Sequence, residues 1–145
     1  MKKLIVLCAC FLITASTVAS SAQSWKDDPA FINFWQKFKT AVISNDKETI
    51  VALSSFPIRM PGRVRAVKNA ADLRLRYNEV FTKRTSAAKC FARDDSDPVG
   101  QPEGIHPKAY AVFCDLGTGD VLSYRFKLTS IGWKFVRLAQ DELPD

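Results

Sequence analysis

The stretch FKTAVISNDKETIVALSSF, residues 38–56, determines how the N-terminal half of the chain folds. Apolar residues spaced three and four apart begin upstream of this stretch and continue into it, which predicts a helix. Asp28, which a proline follows, is suited to cap the start of that helix. Residues 44–46 interrupt that stripe with Ser, Asn and Asp, which favour caps and turns. Residues 47–53 carry a second, shorter apolar face that ends before Pro57. The stretch therefore predicts a long helix, a polar hinge and a short helix.

The middle of the chain predicts a third helix between irregular segments. Residues 58–67 contain a Pro-Gly turn signal within a short extended passage. Asn69 is suited to cap a helix that continues to residues 82–85, and a short strand is predicted at residues 86–92. Residues 94–107 are rich in Asp, Pro and Gly and predict a surface loop.

The sequence period then changes from helical to alternating. Strands are predicted at residues 110–116, 122–129 and 133–138, with a Gly-Thr-Gly-Asp turn at 117–120 and a second turn at 130–132. Because the helices come first and an antiparallel sheet follows, the predicted fold class is α+β.

This order of elements resembles the nuclear-transport-factor-two-like, or cystatin-like, superfamily. The resemblance rests on the polar hinge at 44–46, the short helix after it, a third helix with Tyr77 and Phe81, and the closing meander, and it spans residues 30–139. It implies that the helices pack into the concave side of a curved antiparallel sheet, forming a cone. It also implies that an enzyme of this kind places ionisable side chains inside the cone, where apolar walls shift their pKa values.

The chain begins with a pattern typical of a bacterial secretory signal peptide. Two lysines precede an apolar run, and small residues precede two cleavage sites, after Ala19 and after Ala22. The run is about half of the roughly 20 residues that a membrane-spanning helix needs, so no transmembrane segment is expected. We expect residues 1–22 to be a signal peptide, residues 23–145 to be a single domain, and the mature protein to be periplasmic or secreted.

A lipid anchor is the alternative interpretation of this leader. The sequence Leu7-Cys8-Ala9-Cys10 resembles a bacterial lipoprotein signal. The apolar run continues to Ile13, however, so cleavage at these cysteines leaves a very short signal and an apolar stub.

Two cysteines follow the leader, Cys90 and Cys114, and export places them in an oxidising compartment where they are expected to form a disulfide. The chain-entropy relation gives at most about 3.5 kcal/mol of stabilisation for a loop of about 25 residues. A redox role for the pair is the alternative. Two thiols without CxxC spacing or a histidine pair do not make a zinc site, and neither a metal nor a cofactor is expected.

Positive charge is concentrated in one segment. Residues 59–93 carry ten basic and two acidic side chains, net +8, whereas residues 94–145 carry net −4. An anion- or partner-binding surface is therefore predicted, formed by five arginines: Arg59, Arg63, Arg65, Arg74 and Arg76. Exported proteins seldom meet nucleic acid, so the expected partners are anionic lipid headgroups, cell-wall polymers or acidic protein surfaces. The alternative is that these charges are only solvated, and partly neutralised by the acidic C-terminal segment.

No catalytic signature is present in the sequence. His106 is the single histidine, and it lies in the Pro/Gly-rich loop without a carboxylate at partner spacing, so we expect an exposed loop residue. Inside the expected cone, the candidates for ligand contact are aromatic: Tyr77, Tyr110, Tyr124 and Trp133. Aromatic residues at core spacing more often serve packing.

Three functional hypotheses follow, the third of which is an accessory module that binds anionic envelope polymers through the basic side chains of residues 59–93. The first is a non-catalytic exported binding protein, such as an envelope inhibitor or immunity-type protein, that binds a partner protein or a small apolar ligand. The second is a cone-type isomerase or dehydratase acting on an apolar substrate, with Tyr77, Tyr124 and either Asp115 or Arg59 supplying polar groups. A pocket lined by the two tyrosines and a carboxylate favours the enzyme, whereas a core filled by aromatic side chains counts against it.

Overall fold

A computed structural model describes residues 24–63, 65–100 and 108–142. Within these ranges a 3₁₀ turn at Trp25–Asp27 precedes the helices α1 (Pro29–Ile43), α2 (Lys47–Ala52), α3 (Ala70–Leu75), α4 (Tyr77–Phe81) and α5 (Ala87–Phe91). The strands are β1 (Ser54–Arg59), β2 (Ala66–Val67), β3 (Val99–Gly100), β4 (Ala109–Asp115), β5 (Asp120–Thr129) and β6 (Gly132–Glu142). The predicted leader with its cleavage sites, and His106, lie outside the described residues.

The described strands form one sheet in the order β2-β1-β6-β5-β4-β3. All neighbours are antiparallel except β1 and β6, which run parallel between the pairs Ser54–Phe135 and Arg59–Arg137. The predicted α+β class, with helices packed on a sheet, is confirmed, although the sheet is mixed rather than wholly antiparallel. β6 joins the N-terminal strands to the C-terminal meander, so two parts of the chain that are distant in sequence share one sheet.

Side-chain caps fix α1 and α2 where the polar residues predict them. The Asp28 carboxylate accepts a hydrogen bond from the Phe31 N–H at 2.9 Å, and a proline occupies the start of α1. Asn45 follows α1 with a φ of 58°, a left-handed conformation that asparagine tolerates. The Asp46 carboxylate accepts from the Thr49 N–H at 3.1 Å. The predicted polar hinge between the two helices is confirmed.

Two predicted elements are wrong in type or extent. Residues 86–92, predicted as a strand, form α5, because the Ser86 hydroxyl caps the Lys89 N–H at 3.3 Å and Ala87 and Phe91 bury one helical face. The second helix ends at Ala52 rather than near Pro57, and the residues after it form β1.

The predicted third helix is interrupted. α3 ends at Leu75 and α4 begins at Tyr77, with Arg76 at their junction. Arg76 forms ion pairs with carboxylates on both sides of this break, with Asp72 at 2.7 Å and with Glu79 at 3.2 Å. The two short helices therefore replace one regular helix, and a short β3 lies in the predicted loop.

The core lies between α1 and the sheet face that β5 and β6 present to it. The Phe38 ring of α1 lies 5.1 Å from Phe126 and 5.4 Å from Phe135, measured between centroids. α5 packs against the same helix, with 5.1 Å between the Trp35 and Phe91 rings. Interlocked aromatic rings of this kind are densely packed and exclude water.

The predicted disulfide is confirmed. Cys90 of α5 is bonded to Cys114 of β4, with 5.8 Å between their Cα atoms. The bond ties the last helix to the sheet next to the aromatic core, and the Cys114 side of it is buried.

Candidate functional site

The region where a cone-type ligand would bind is occupied by aromatic side chains. Tyr124 of β5 is fully buried and donates its hydroxyl hydrogen bond to the Val80 carbonyl at 3.0 Å. Its ring lies 5.8 Å from Phe81 and 5.0 Å from Phe91. Burial raises the pKa of Tyr124 far above its ordinary value, with a smaller contribution from Tyr77. This phenol is therefore neutral at physiological pH and already engaged within the fold.

Tyr110 and Trp133 belong to the same core. Their ring centroids lie 5.2 Å apart, and each packs on Phe31, at 4.3 Å for Tyr110 and 4.7 Å for Trp133. Burial, followed by the nearby carboxylates of Asp28 and Asp27, raises the pKa of Tyr110. The Trp133 indole N–H is buried and has no hydrogen-bond partner among the described residues.

Tyr77 closes the helical side of this cluster. Its ring packs on Phe81 at 4.9 Å, and the Lys47 ammonium lies 5.0 Å from its centroid in a cation–π contact. Burial raises the pKa of Tyr77. The structure thus places all four predicted ligand contacts in the packed core. Three of the grooves on the surface of the described residues are lined by other side chains, not by these four.

Two of the five predicted anion-binding arginines have intramolecular partners. Arg74 is bidentate to Glu48, with both N–O distances at 2.6 Å, and Arg76 bridges the α3–α4 junction. The hydrogen bond from Arg74 lowers the pKa of Glu48. The pKa of Asp72 is lowered mainly by the hydrogen bond from the Lys68 N–H, and next by the hydrogen bond from Arg76. These two arginines stabilise the helical layer, and their charges are largely balanced.

Two others, Arg59 and Arg65, lie together at a groove of about 460 Å³ between β6 and the turn that joins β1 to β2. Arg137 and Asp141 of β6 line the same groove. We call it the arginine groove and define it by these four residues. Arg63 is exposed on the same turn but does not line the groove.

The strand register aligns arginines across the sheet. Arg125 of β5 lies opposite Arg137 of β6, which lies opposite Arg59 of β1. Their sequence neighbours Tyr124, Leu138 and Ile58 point into the core, so the three arginines share the opposite, outer face of the sheet. Like charges placed directly opposite each other on neighbouring strands repel, so this row favours an anion beside it.

Asp141 compensates only one end of this row. Its carboxylate accepts two contacts from the Arg125 guanidinium, at 2.9 and 3.0 Å, and one from the Ser123 hydroxyl. Burial tends to raise the pKa of Asp141, but the hydrogen bonds from Ser123 and Arg125 and the charge of Arg137 outweigh it and hold the pKa below its usual value. Arg59, Arg65 and Arg137 have no ion-pair partner within the described part of the chain.

Arg84 connects the two walls of the arginine groove. Its guanidinium donates to the Gln140 side-chain oxygen at 2.8 Å and to the Pro61 carbonyl at 3.4 Å. Sequence reasoning missed Arg84, Arg125 and Arg137 as members of this surface. Alternation along β5 indicates that Arg125 faces away from the core, but only the pairing of β1 with β6 brings Arg59 to Arg137.

A second groove, of about 410 Å³, opens beside the disulfide. It is lined by residues of both charges, including Arg93 and Asp95, which are paired with each other at 2.9 and 2.6 Å. Phe113 gives it one half-exposed apolar wall. Because its charges compensate each other, it shows no preference for a cation or an anion.

Within the described ranges, His, Cys, Asp and Glu side chains form no group of three suited to holding a metal ion. Among the helices of these ranges, none combines the length and apolar character needed to cross a lipid bilayer.

No family profile and no curated protein sequence matches the chain. Among solved structures, it is similar to an NTF2-like protein with a cystatin-like fold from Novosphingobium aromaticivorans, at 20% sequence identity and a TM-score of 0.43. The match covers 81% of this chain and 82% of that chain. The similarity concerns the fold, not binding or activity.

Proposed function

We propose that this chain is an exported, non-catalytic binding protein that recognises a partner protein through the outer face of its sheet. The partner is of the kind that an envelope inhibitor or immunity-type protein blocks, such as a toxin or a hydrolase. The packed aromatic interior, in which the buried Tyr124 hydroxyl is bonded to the Val80 carbonyl, is the observation that carries this proposal.

The interior offers little to a reaction or to a small ligand. Three tyrosines line the core, and burial raises the pKa of each, so none is poised as a base near neutral pH. Buried aromatic rings pack against one another between α1 and the sheet. This counts against the isomerase or dehydratase hypothesis and against a small apolar ligand inside the fold.

The outer face, in contrast, offers groups that remain available to a partner. Arg59, Arg65 and Arg137 combine positive charge with a groove of about 460 Å³. Arginine is enriched at the energetic centres of protein interfaces, and its planar guanidinium can form two parallel hydrogen bonds to one carboxylate. The leader sequence supports export, and the disulfide between Cys90 and Cys114 is consistent with an oxidising compartment.

The proposal is tested by capture from the envelope of the native host. The chain carries a C-terminal tag, is recovered from the intact envelope after mild cross-linking, and is washed at high salt. We expect one protein partner in near-equal amount, absent when an unrelated exported bait of similar size and charge is used. Mass spectrometry under native conditions, run on the same material, measures bound small molecules.

Two outcomes overturn the proposal. One is the absence of any protein enriched over the control bait. The other is a stoichiometric small molecule that remains bound under native conditions and is released on unfolding, since that result identifies a small ligand instead of a protein partner.

A further inference from the structure

We propose that the arginine groove receives an extended acidic segment of the partner protein, which adds as a strand to the free edge of β6. This inference rests on the proposed function, because it names the surface and the type of segment through which the partner is bound. It is carried by the strand register, the charges around the groove and the lining of its walls.

One edge of β6 is only partly paired. β5 pairs with β6 from Thr129–Gly132 to Asp120–Glu142, with one register shift between Arg125 and Phe126. On the other side, β1 reaches only as far as Arg137, so residues 138–142 have no strand neighbour there within the described part of the chain. Backbone N–H and C=O groups at such an edge need partners and are a template for another strand. Peptides that add to a sheet edge gain their affinity from these main-chain hydrogen bonds.

The charges beside this edge select an acidic segment. Arg137 lies where β1 stops and the free edge begins, with Arg59 directly opposite and Arg65 on the facing wall. Asp141 is the acidic side chain in the groove lining, and its carboxylate is already engaged by Arg125. A carboxylate entering between Arg59 and Arg137 relieves the repulsion between them and forms charge-assisted hydrogen bonds.

The groove walls add a second requirement. Met60 and Pro61 line one wall, and residues 138–141 of β6 line the other. Alternate side chains of an added strand point in opposite directions. A segment that alternates acidic with apolar residues therefore directs carboxylates to the arginines and apolar groups to the Met60 wall. A phosphate or lipid headgroup satisfies the arginines but leaves the strand edge unpaired, so the acidic peptide accounts for more of the site.

The test uses a fluorescein-labelled heptapeptide of alternating Glu and Val, and its Gln–Val counterpart, with fluorescence anisotropy at low ionic strength. We expect the Glu peptide to bind the purified protein and the Gln peptide not to bind. The double variant Arg59→Gln with Arg137→Gln should weaken binding about tenfold or more, since each arginine supplies a charge-assisted bond. The matched control, Lys37→Gln with Lys89→Gln, removes the same charge from exposed helical positions outside the groove and should bind within about twofold of wild type.

Strand addition is separated from simple charge attraction by backbone methylation. Two Glu–Val peptides are prepared, N-methylated on the odd or on the even residues, so that each keeps its carboxylates but loses one set of N–H donors. We expect one of the two to lose about tenfold or more in affinity, because a strand donates through alternate N–H groups. Equal binding by both methylated peptides and the parent overturns strand addition.

Other outcomes of these binding measurements also test whether the arginine groove binds an acidic strand. No binding of the Glu peptide, or equal loss in the control double variant, overturns the inference. So does binding of anionic phosphatidylglycerol vesicles that depends on Arg59 and Arg137 in the absence of peptide binding, because the groove then recognises a lipid surface.

If the captured partner is retained equally by the Arg59→Gln, Arg137→Gln variant, this inference fails while the proposed function stands. If the peptide binds as expected but no partner is captured, the proposed function fails, while the preference of the groove for an acidic strand stands.

Discussion

The Tyr124 hydroxyl lies 3.0 Å from the Val80 carbonyl, so a strand side chain satisfies a backbone acceptor in the last turn of a helix. Carbonyls in the last turn of a helix lack partners within that helix. The bond therefore anchors α4 to the sheet at the centre of the core, and it uses the one polar atom that Tyr124 brings into that core.

Replacing Tyr124 by phenylalanine should lower the free energy of unfolding by about 1–3 kcal/mol, because the buried Val80 carbonyl loses its donor. Urea unfolding followed by circular dichroism measures this change. The control is Tyr77→Phe, whose hydroxyl makes no hydrogen bond within the described residues and whose loss should cost less than about 0.5 kcal/mol. Equal effects of the two substitutions contradict the assigned role of the Tyr124 hydroxyl.

Phe38 is expected to be a principal core residue, since its ring contacts aromatic rings from both helices and strands. Phe38→Ala should destabilise the fold by about 3–5 kcal/mol through loss of buried surface and creation of a cavity. Leu75→Ala, at a position that is 83% exposed, should change the stability by less than about 0.5 kcal/mol. Thermal unfolding of both variants measures the contrast, and a small effect at Phe38 shows that the core is packed differently.

The disulfide between Cys90 and Cys114 should contribute at most about 3.5 kcal/mol, because it closes a loop of about 25 residues and lowers the entropy of the unfolded chain. The double variant Cys90→Ala with Cys114→Ala is compared with wild type, each with and without reductant, by urea unfolding. Reductant should destabilise wild type only. A double variant as stable as the oxidised protein would contradict the structural role of this bond.

Asp141 is expected to make the free energy of unfolding depend on pH in the acidic range. Its pKa in the folded chain is below its unfolded value of about 3.9, so its stabilisation is complete above that value and is lost as pH falls through the lower, folded pKa. Asp141→Asn should remove roughly 0.5–1 kcal/mol at neutral pH and reduce the dependence of unfolding free energy on pH below about 4. The measurement is urea unfolding across that pH range, and an unchanged slope in the variant rules out the assigned pKa shift.

Export predicts the N-terminus of the mature protein. Intact mass measured on material from the native host should correspond to a chain that begins at Ser20 or Gln23. A chain that begins at a lipid-modified Cys8 or Cys10 would support the lipoprotein alternative, and a chain that retains its first residues would contradict export.

Local sequence patterns predicted the elements whose signals are local. Three of these signals act within a few residues, and the sequence therefore predicts them: the Asp28 cap, the hinge at 44–46 and the alternation along β5. α5 was missed because five residues contain barely more than one helical turn, although the Ser86 cap and the spacing of Ala87 and Phe91 signal it. Short segments give the periodicity too few residues to distinguish a helix from a strand.

The predicted site depended on contacts between distant parts of the chain. The arginines of residues 59–93 were recognised as a charged segment, but charge alone does not separate Arg74, which pairs with Glu48, from Arg59, which does not. Arg137 belongs beside Arg59 only because β6 pairs in parallel with β1. No local pattern encodes that register, since the two arginines are far apart in sequence.

The position of β6 has a consequence for synthesis. Among the described strands it is the link between β2–β1 and β5–β4–β3, yet it is the last to leave the ribosome. β1 therefore emerges with no neighbour to pair with in parallel until the final strand has been made. A chain that terminates before Gly132 lacks the strand that links β1 to β5, and Phe38 of α1 loses its contact with Phe135. Quality-control proteases should recognise such a truncated product as unfolded.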